Sequence, residues 1–595
     1  MKKYLLVLVG LCCVLSYALA ERPDYPELKK SDANIIGHVL DKKTKEHLPY
    51  ITIALKGTTI GTVTDATGHY FLKNLPEGNF ILEVSSVGYK TVTRNVTLKK
   101  GKTLEEDFEI EEDAIALDGV VVSANRSETT RRMAPTLVNV VDLKLFETTN
   151  SSTLSQGLNF QPGVRVETNC QNCGFQQVRI NGLDGPYTQI LIDSRPVFSA
   201  LSGVYGLEQI PASMIERVEV MRGGGSALFG SSAIAGTINI ITKEPLRNSG
   251  QLSHTITSLG GSSSFDNNTS LNASLVTDDH RAGLYIFGQN RYRSGYDYDG
   301  DGFTELPKLK NQTVGFRSYL KTSTYSKLTF EYHHMQEFRR GGDMLNRPPH
   351  EAHIAEQLQH SIDGGSLKFD YFSPDEKNRL SVFASAANTD RDSYYGPGND
   401  PLKAYGKTTD LTAMGGAQYV HTFDKCFFMP SDLTAGLEYN RDRLKDNMWG
   451  YNRHTDQTVN IYSAFLQNEW KNDRWGILIG GRLDKHNMVD NVIFSPRANL
   501  RFNPTQNINL RLSYSSGFRA PQAFDEDMHI ENVGGTVAMI ERAKDLKEEK
   551  SQSFSVSADM YHRFGAFQTN LLIEGFYTRL TDVFVLGKPY DRGDC

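Results

Sequence analysis

Cys170 and Cys173, with Phe175 just beyond them, are the side chains of this 595-residue chain best suited to hold a soft ligand. At CxxC spacing the two sulfurs can close a small disulfide or bind a metal, or a metal complex, as thiolates. Both readings stay open in the sequence, because no second pair completes a zinc site. His350 and His353 enclose an HExH, one residue short of the spacing that brings two imidazoles of a helix to one zinc ion. His333, His334 and His360 lie nearby with Met335 and Met344, and imidazole suits haem iron, copper or zinc. Asp297, Asp299 and Asp301 alternate before Gly302, a pattern that converges on calcium or merely forms a polar turn. Lys308 at the twelfth position excludes an EF-hand. Gly223-Gly224-Gly225-Ser226 lacks the following Lys-Ser/Thr of a phosphate-binding loop.

These residues must be positioned by β structure. The chain has 30 Phe, 27 Tyr and 51 Gly against 3 Trp, and beyond its N-terminus no apolar run approaches the ~18 residues of a membrane helix. A net charge of −6, from 64 basic and 70 acidic residues, gives no field for nucleic acid. Residues 1–20 read as a secretory signal, with Lys2 and Lys3, an apolar stretch and Ala18-Leu19-Ala20 before cleavage. Export leaves Cys170, Cys173, Cys426 and Cys595 in a disulfide-permissive setting. Short alternating strands divided by Gly, Pro and Asn turns over 31–112 predict a β-sandwich, and Glu105 to Asp113 reads as an acidic linker. Beyond about Gly250 the strands are long. Tight turns at Asp278–His280, Thr324–Ser326, Pro374–Lys377, Lys471–Asp473 and Pro504–Gln506 alternate with polar excursions at 293–312, 339–362, 390–410, 441–457 and 516–550. Short turns on one side and long loops on the other predict an antiparallel transmembrane barrel.

Three strand-like runs, Gln189–Ile192, Ile215–Met221 and Thr237–Thr242, flank the stretch Gly223–Gly236, which is too flexible for a helix interior. The wording MIERVEVMRGGGSALFGSSAIAGTINIITKE resembles the plug of TonB-dependent outer-membrane receptors. Residues 31–112 resemble the carboxypeptidase-regulatory-like, transthyretin-type fold, and Phe518-Arg519-Ala520-Pro521 resembles the FRAP box of haem and siderophore receptors. Gln522-Ala523-Phe524 then departs from the haem-receptor wording. Leu117–Ala124 is similar to the TonB box, so the resemblance makes Asp118, Val120, Val121 and Val122 the residues TonB would grip by strand addition. The alternative is an ordinary first strand of the plug.

The expected organisation is therefore mainly β: signal 1–20, sandwich 31–112, TonB box 117–124, α+β plug 125–246 and barrel 247–595. About fifteen strands can be counted, whereas a plugged transporter needs roughly 22, so a C-terminally truncated barrel is expected. The resemblance implies an outer-membrane importer with its N-terminal domain in the periplasm, TonB, a surface lipoprotein and the lipid bilayer as partners, and no required cofactor. Its small extracellular ligand would be a metal chelate (ferric siderophore, haem or cobalamin) touching Cys170, Cys173, Phe175, His350, His353 and Arg519. A glycan importer of the starch-utilisation type is the rival, and an adhesin has no feature in its favour. His353 and Glu356 also make the HxxE of zinc carboxypeptidases, but no α/β segment surrounds them, so no enzyme is expected.

Overall fold

Period-two alternation from Ser249 to Thr581 becomes one antiparallel sheet of 15 strands in sequence order. The structure is a computed structural model that describes residues 30–588 apart from 50, 66, 87–88, 112–119, 127–128, 171, 197–209, 278, 398–403, 534–535, 544 and 565–566. Residues 1–20, Asp118 and Cys595 therefore lie outside the described residues. Apolar residues face outward and polar ones inward, the inverse of a water-soluble core. In the strand Ile508–Arg519, Leu512 is 53% exposed while Asn509 and Arg511 are buried. Leu512 sits in register with Leu500 on one side and Val556 on the other. Such an outward apolar band is what lipid requires of a spanning sheet. Among the described residues, the first strand, Ser249–Ser258, and the last, Phe567–Thr581, do not pair with each other.

The tight turns fall where expected, with a further one at Phe427–Phe428 between Cys426 and Met429. The long excursions are shorter than the sequence suggested. Ser326–Gly342 and Ile354–Phe372 leave only 343–353 between them, and Met429–Met448 and Arg453–Lys471 leave 449–452. Where both faces of a strand are polar, alternation disappears although the hydrogen-bond ladder continues, so strands resemble loops in sequence. The same correction moves the histidines. His333 lies within a strand opposite Gly364, and His360 is fully buried in the next, 3.5 Å from Glu337. They belong to the wall rather than to external loops.

The inner face of this wall packs on a mixed five-stranded sheet. Its order is Val138–Asp142, Ile215–Arg222, Gly236–Thr242, Thr188–Ile192 and Arg195–Pro196, with Thr188–Ile192 parallel to Gly236–Thr242. Its core includes Val218, Val220, Ile238, Ile240 and Ile192. The glycine-rich stretch differs from expectation, since Ser226–Phe229 forms one helical turn. Arg482 of the wall donates to the Leu228 carbonyl at 3.1 Å, supplying a partner that the turn lacks internally.

Residues 30–110 form two four-stranded sheets around Ile35, Ile53, Leu72, Leu82 and Phe108. Thr103–Glu105 and Phe108–Ile110 run parallel to the first strand, Lys30–Asp41, so most of the expected acidic linker belongs to the sandwich. Its acidic side chains face out while Phe108 and Ile110 face in.

Candidate functional site

The hairpin Val164–Cys170 and Phe175–Ile180 ends in a turn that presents both cysteines. Gly174 adopts φ +70°, a conformation costly for a side chain, and its N–H donates to the Cys170 carbonyl at 2.9 Å. The Cys173 N–H points at Cys170 Sγ, 3.4 Å away, so the turn folds around that sulfur. Cys173 and Phe175 are buried against Ala355, Tyr394, Tyr395 and Ile530 of the wall and its loops. The two sulfurs are not bonded to each other. Cys170 Sγ lies 3.2 Å from Glu356 Oε2, on the wall strand Ile354–Phe372, and Cys173 Sγ lies 3.5 Å from His529 Nε2. His529 Nε2 is also 3.5 Å from Glu356 Oε2, and its ring packs against both Phe175 and Tyr395, with centroids 5.5 Å away in each case.

These contacts set the protonation of the group. The hydrogen bond with Cys173 holds the Cys170 thiol down at about 7 against the opposing effect of burial. Burial alone would lower the His529 pKa, but hydrogen bonds to Cys170 and Glu356 outweigh it and lift it to about 10. These opposite shifts favour a thiolate beside an imidazolium.

His529 is the residue sequence reasoning missed. It follows the short helix Asp525–Met528 inside a long connection, where spacing carries no information about what it meets. Glu356 was visible only as half of an HxxE, and the geometry divides that pair. His353 Nδ1 turns to Asp343 Oδ2 at 2.6 Å, while Glu356 turns to Cys170. His350 Nδ1 is bonded to the Tyr405 hydroxyl at 2.9 Å. Neither imidazole joins the four-residue cluster. Arg519 is likewise committed elsewhere: it is 3.4 Å from Glu549 and lies over the rings of Phe524, Phe584 and Tyr187. The acidic loop is also redrawn. Asp297 and Asp299 gather with Glu305, whereas Asp301 accepts the Phe303 N–H at 2.8 Å. Asp297 accepts the N–H groups of Gly300 and Gly302 at 2.7 and 2.9 Å, as a polar turn requires.

The wall was built to receive the hairpin. A Cβ at Gly341 would overlap the Asn172 carbonyl, and Arg339 donates to the Gly174 carbonyl at 3.3 Å. Gly341→Val should therefore lift the turn off the wall. Cys173, buried in the native protein, should become labelled by a thiol reagent; unchanged protection would refute this docking.

The sequence matches three families in order: the CarboxypepD_reg-like domain over residues 35–122, the TonB-dependent Receptor Plug Domain over 130–237, and the TonB dependent receptor-like, beta-barrel over 238–593. The last of these covers more than half of the chain. The chain belongs to the TonB-dependent receptors. Among curated relatives it is similar to the Vitamin B12 transporter BtuB of Vibrio vulnificus (strain CMCP6), 24% identical over 425 residues, or 69% of this chain and 64% of the relative. The same transporter in strain YJ016 is 33% identical over 174 residues, 28% of each chain. The chain thus spans somewhat less than two thirds of the first relative's length. Two solved structures share its fold at 18% identity and TM-score 0.62: the siderophore receptor PirA from Acinetobacter baumannii, covering 76% of this chain and 78% of that one, and a mutant of the ferric enterobactin receptor (PfeA) from Pseudomonas aeruginosa, covering 76% and 71%.

In this receptor the plug is held by ionic contacts to the wall. Arg126 pairs with Glu438, which also binds Arg482 at 2.7 Å, and Arg482 reaches Asp484 at 2.8 Å. Arg222 meets Glu574 at 2.5 Å, and Lys327 meets Glu244 at 2.9 Å. Between plug and wall lies a cavity of about 180 Å³ with a mixed polar and apolar lining. Gln177, Gln189, Asn440, Asp442, Asp484 and Gln522 are among its lining residues.

The segment expected to be extended and unpaired is docked on the plug. Val120–Val121 pairs with Thr129–Thr130, and Val121 is fully buried beside Ala124, Ala134 and Val138. Glu219 Oε2 accepts the N–H groups of Val122 and Ser123, both at 2.9 Å, and the Ser123 hydroxyl at 2.7 Å. The correction has a physical cause: a buried carboxylate needs donors, and this segment supplies three.

Proposed function

We propose that this receptor imports a small, scarce nutrient across the outer membrane, energised by TonB, and that the nutrient is a metal chelate of the cobalamin or siderophore class. The observation that carries the reading is the plug itself, wedged against the inner wall by paired charges, with its hairpin reaching the connections at 343–353 and 520–548. A protein that only adhered to surfaces would have no use for a removable plug. The names of the related transporter and receptors favour a chelate over a glycan. The divergent partners of His353 and Glu356 speak against the zinc carboxypeptidase reading of that pair. In this reading the ligand meets the hairpin and loops from outside, while the sandwich and the segment around Asp118–Ser123 face the periplasm, where TonB captures the segment. A surface lipoprotein would deliver ligand to the loops.

Growth of a deletion strain on limiting cobalamin, siderophore, haem or glycan identifies the nutrient. Complementation with a receptor lacking residues 117–120 then tests the coupling. We expect growth on cobalamin or a ferric siderophore to be lost in the deletion strain. The shortened receptor should still bind ligand at the cell surface but not restore growth. Restored growth would refute the coupling segment, and a defect confined to glycan would refute the chelate.

A further inference from the structure

We propose that Cys170, Cys173, His529 and Glu356 form a binding site for a single zinc-class divalent ion, stapling the plug hairpin to the wall and to the connection 520–548. The inference does not depend on what the receptor imports, and the growth test above neither supports nor weakens it.

Four donors from three separated parts of the chain converge, with their ligand atoms all within 4.8 Å of one another. Two of the three close separations match the edges of a tetrahedron, and the third, Cys170 Sγ to Glu356 Oε2, is slightly shorter. With metal–sulfur bonds near 2.3 Å and metal–nitrogen or metal–oxygen bonds near 2.0–2.2 Å, edges between unlike ligands come out at about 3.4–3.6 Å. The structure places Cys173 Sγ and His529 Nε2 3.5 Å apart, His529 Nε2 and Glu356 Oε2 3.5 Å apart, and Cys170 Sγ and Glu356 Oε2 3.2 Å apart. Besides their contact within the turn, each sulfur thus faces a ligand from the wall or the loop, as a shared metal requires.

The turn itself is suited to the task. In Cys170-Gln171-Asn172-Cys173-Gly174 the glycine carries the positive φ, and the Cys173 N–H is directed at Cys170 Sγ. An N–H aimed at sulfur stabilises the charge of a metal-bound thiolate. Phe175 and Tyr395 both pack against the His529 ring, restricting its orientation, and Cys173 is wholly shielded from solvent. Two thiolates, one imidazole and one carboxylate suit zinc better than the hard cations, which prefer oxygen alone. All four positions come from the protein, so the site is closed, in the manner of structural rather than catalytic zinc. The ion would replace the protons now shared among these groups, with no redox change.

The test uses the full chain, purified, reduced with a non-chelating phosphine and stripped of metal. Titration with Co²⁺ should give thiolate-to-cobalt charge transfer and tetrahedral d–d absorption that saturate at one equivalent and vanish on adding Zn²⁺. Cys170→Ser and Cys173→Ser should abolish the charge-transfer band. His529→Ala and Glu356→Gln should each weaken binding by about tenfold or more and move the d–d bands, with unchanged thermal unfolding of the metal-free protein showing that the variants fold. Zn²⁺ should also slow proteolysis within 520–548 in the native protein but not in His529→Ala. A reduced protein without the charge-transfer band would overturn the proposal. So would a band indifferent to His529→Ala and Glu356→Gln, which would mean that the cysteine turn scavenges metal alone.

Discussion

Replacing Glu438 with Ala is expected to loosen the plug more than any other single change in the wall. The Glu438 carboxylate sits between Arg126 of the plug and Arg482 of the wall, and all three side chains are at most 5% exposed. Arg126 also lies over the rings of Phe229 and Phe465, 4.9 and 4.8 Å from their centroids. Removing the anion leaves two buried guanidiniums with Asp484 as the remaining carboxylate of this group, bonded to Arg482 and to the Ser463 hydroxyl but not to Arg126. Breaking such a pair from one side costs about 3–5 kcal/mol, because the stranded charge cannot recover its hydration. The expected result is a lower unfolding temperature for the plug and cleavage of residues 125–246 at protease levels the native protein resists. Arg126→Met combined with Glu438→Met provides the control. That exchange removes both charges and fills the space, and buried pairs replaced in this way often lose little stability or gain some. If the double variant is as fragile as Glu438→Ala, packing rather than charge holds the plug.

The sequence carried the architecture because lipid and water impose different periodicities on the two faces of each strand. Leu512 beside Arg511 announces a wall strand, just as Val218 and Val220 announce a plug core, and the fifteen-strand sheet is legible for that reason. Strand ends were not legible, since lumen and vestibule are both polar and the alternation stops before the ladder does. Ser226–Phe229 was hidden among glycines because its helical turn is completed by Arg482, which lies far along the chain. The candidate site was half legible. CxxC marks itself by spacing, whereas His529 and Glu356 reach it only because the wall and its connections pack on the plug hairpin. Arg519, His350 and His353 are of the right chemical type, yet each has a nearer partner in Glu549, Tyr405 and Asp343. The segment from Val120 to Ala124 shows the opposite case: its β-branched run signalled strand pairing, and the pairing it makes is with its own plug.

That docking makes Glu219→Gln the variant with the largest expected effect on partner binding. Glu219 is fully buried in the plug strand Ile215–Arg222, with Oε1 held by Arg217 Nε at 3.0 Å and Oε2 receiving all three donors of Val122 and Ser123. Asn239 completes the arrangement by donating to the Ser123 hydroxyl at 3.0 Å. An amide is nearly isosteric but uncharged, and its NH₂ must face either Arg217 or the segment, where donors already point. Hydrogen bonds to a charged acceptor contribute about 1.5–3 kcal/mol each. Losing the charge and turning one contact repulsive should then cost the docked state about 3 kcal/mol. A partner that takes the segment as an added strand must first undock it, so its apparent affinity is reduced by the undocked fraction. A shift of about 3 kcal/mol in that equilibrium corresponds to about a hundredfold. Glu219→Gln should therefore bind a periplasmic TonB domain up to about a hundredfold more tightly in the absence of external ligand. Amide exchange at Val122 and Ser123 should accelerate in parallel, while protection in Gly236–Thr242 should persist. Unchanged affinity together with unchanged exchange would show that Glu219 does not hold the segment. Faster exchange throughout Gly236–Thr242 would instead mean that the substitution had unfolded the plug sheet.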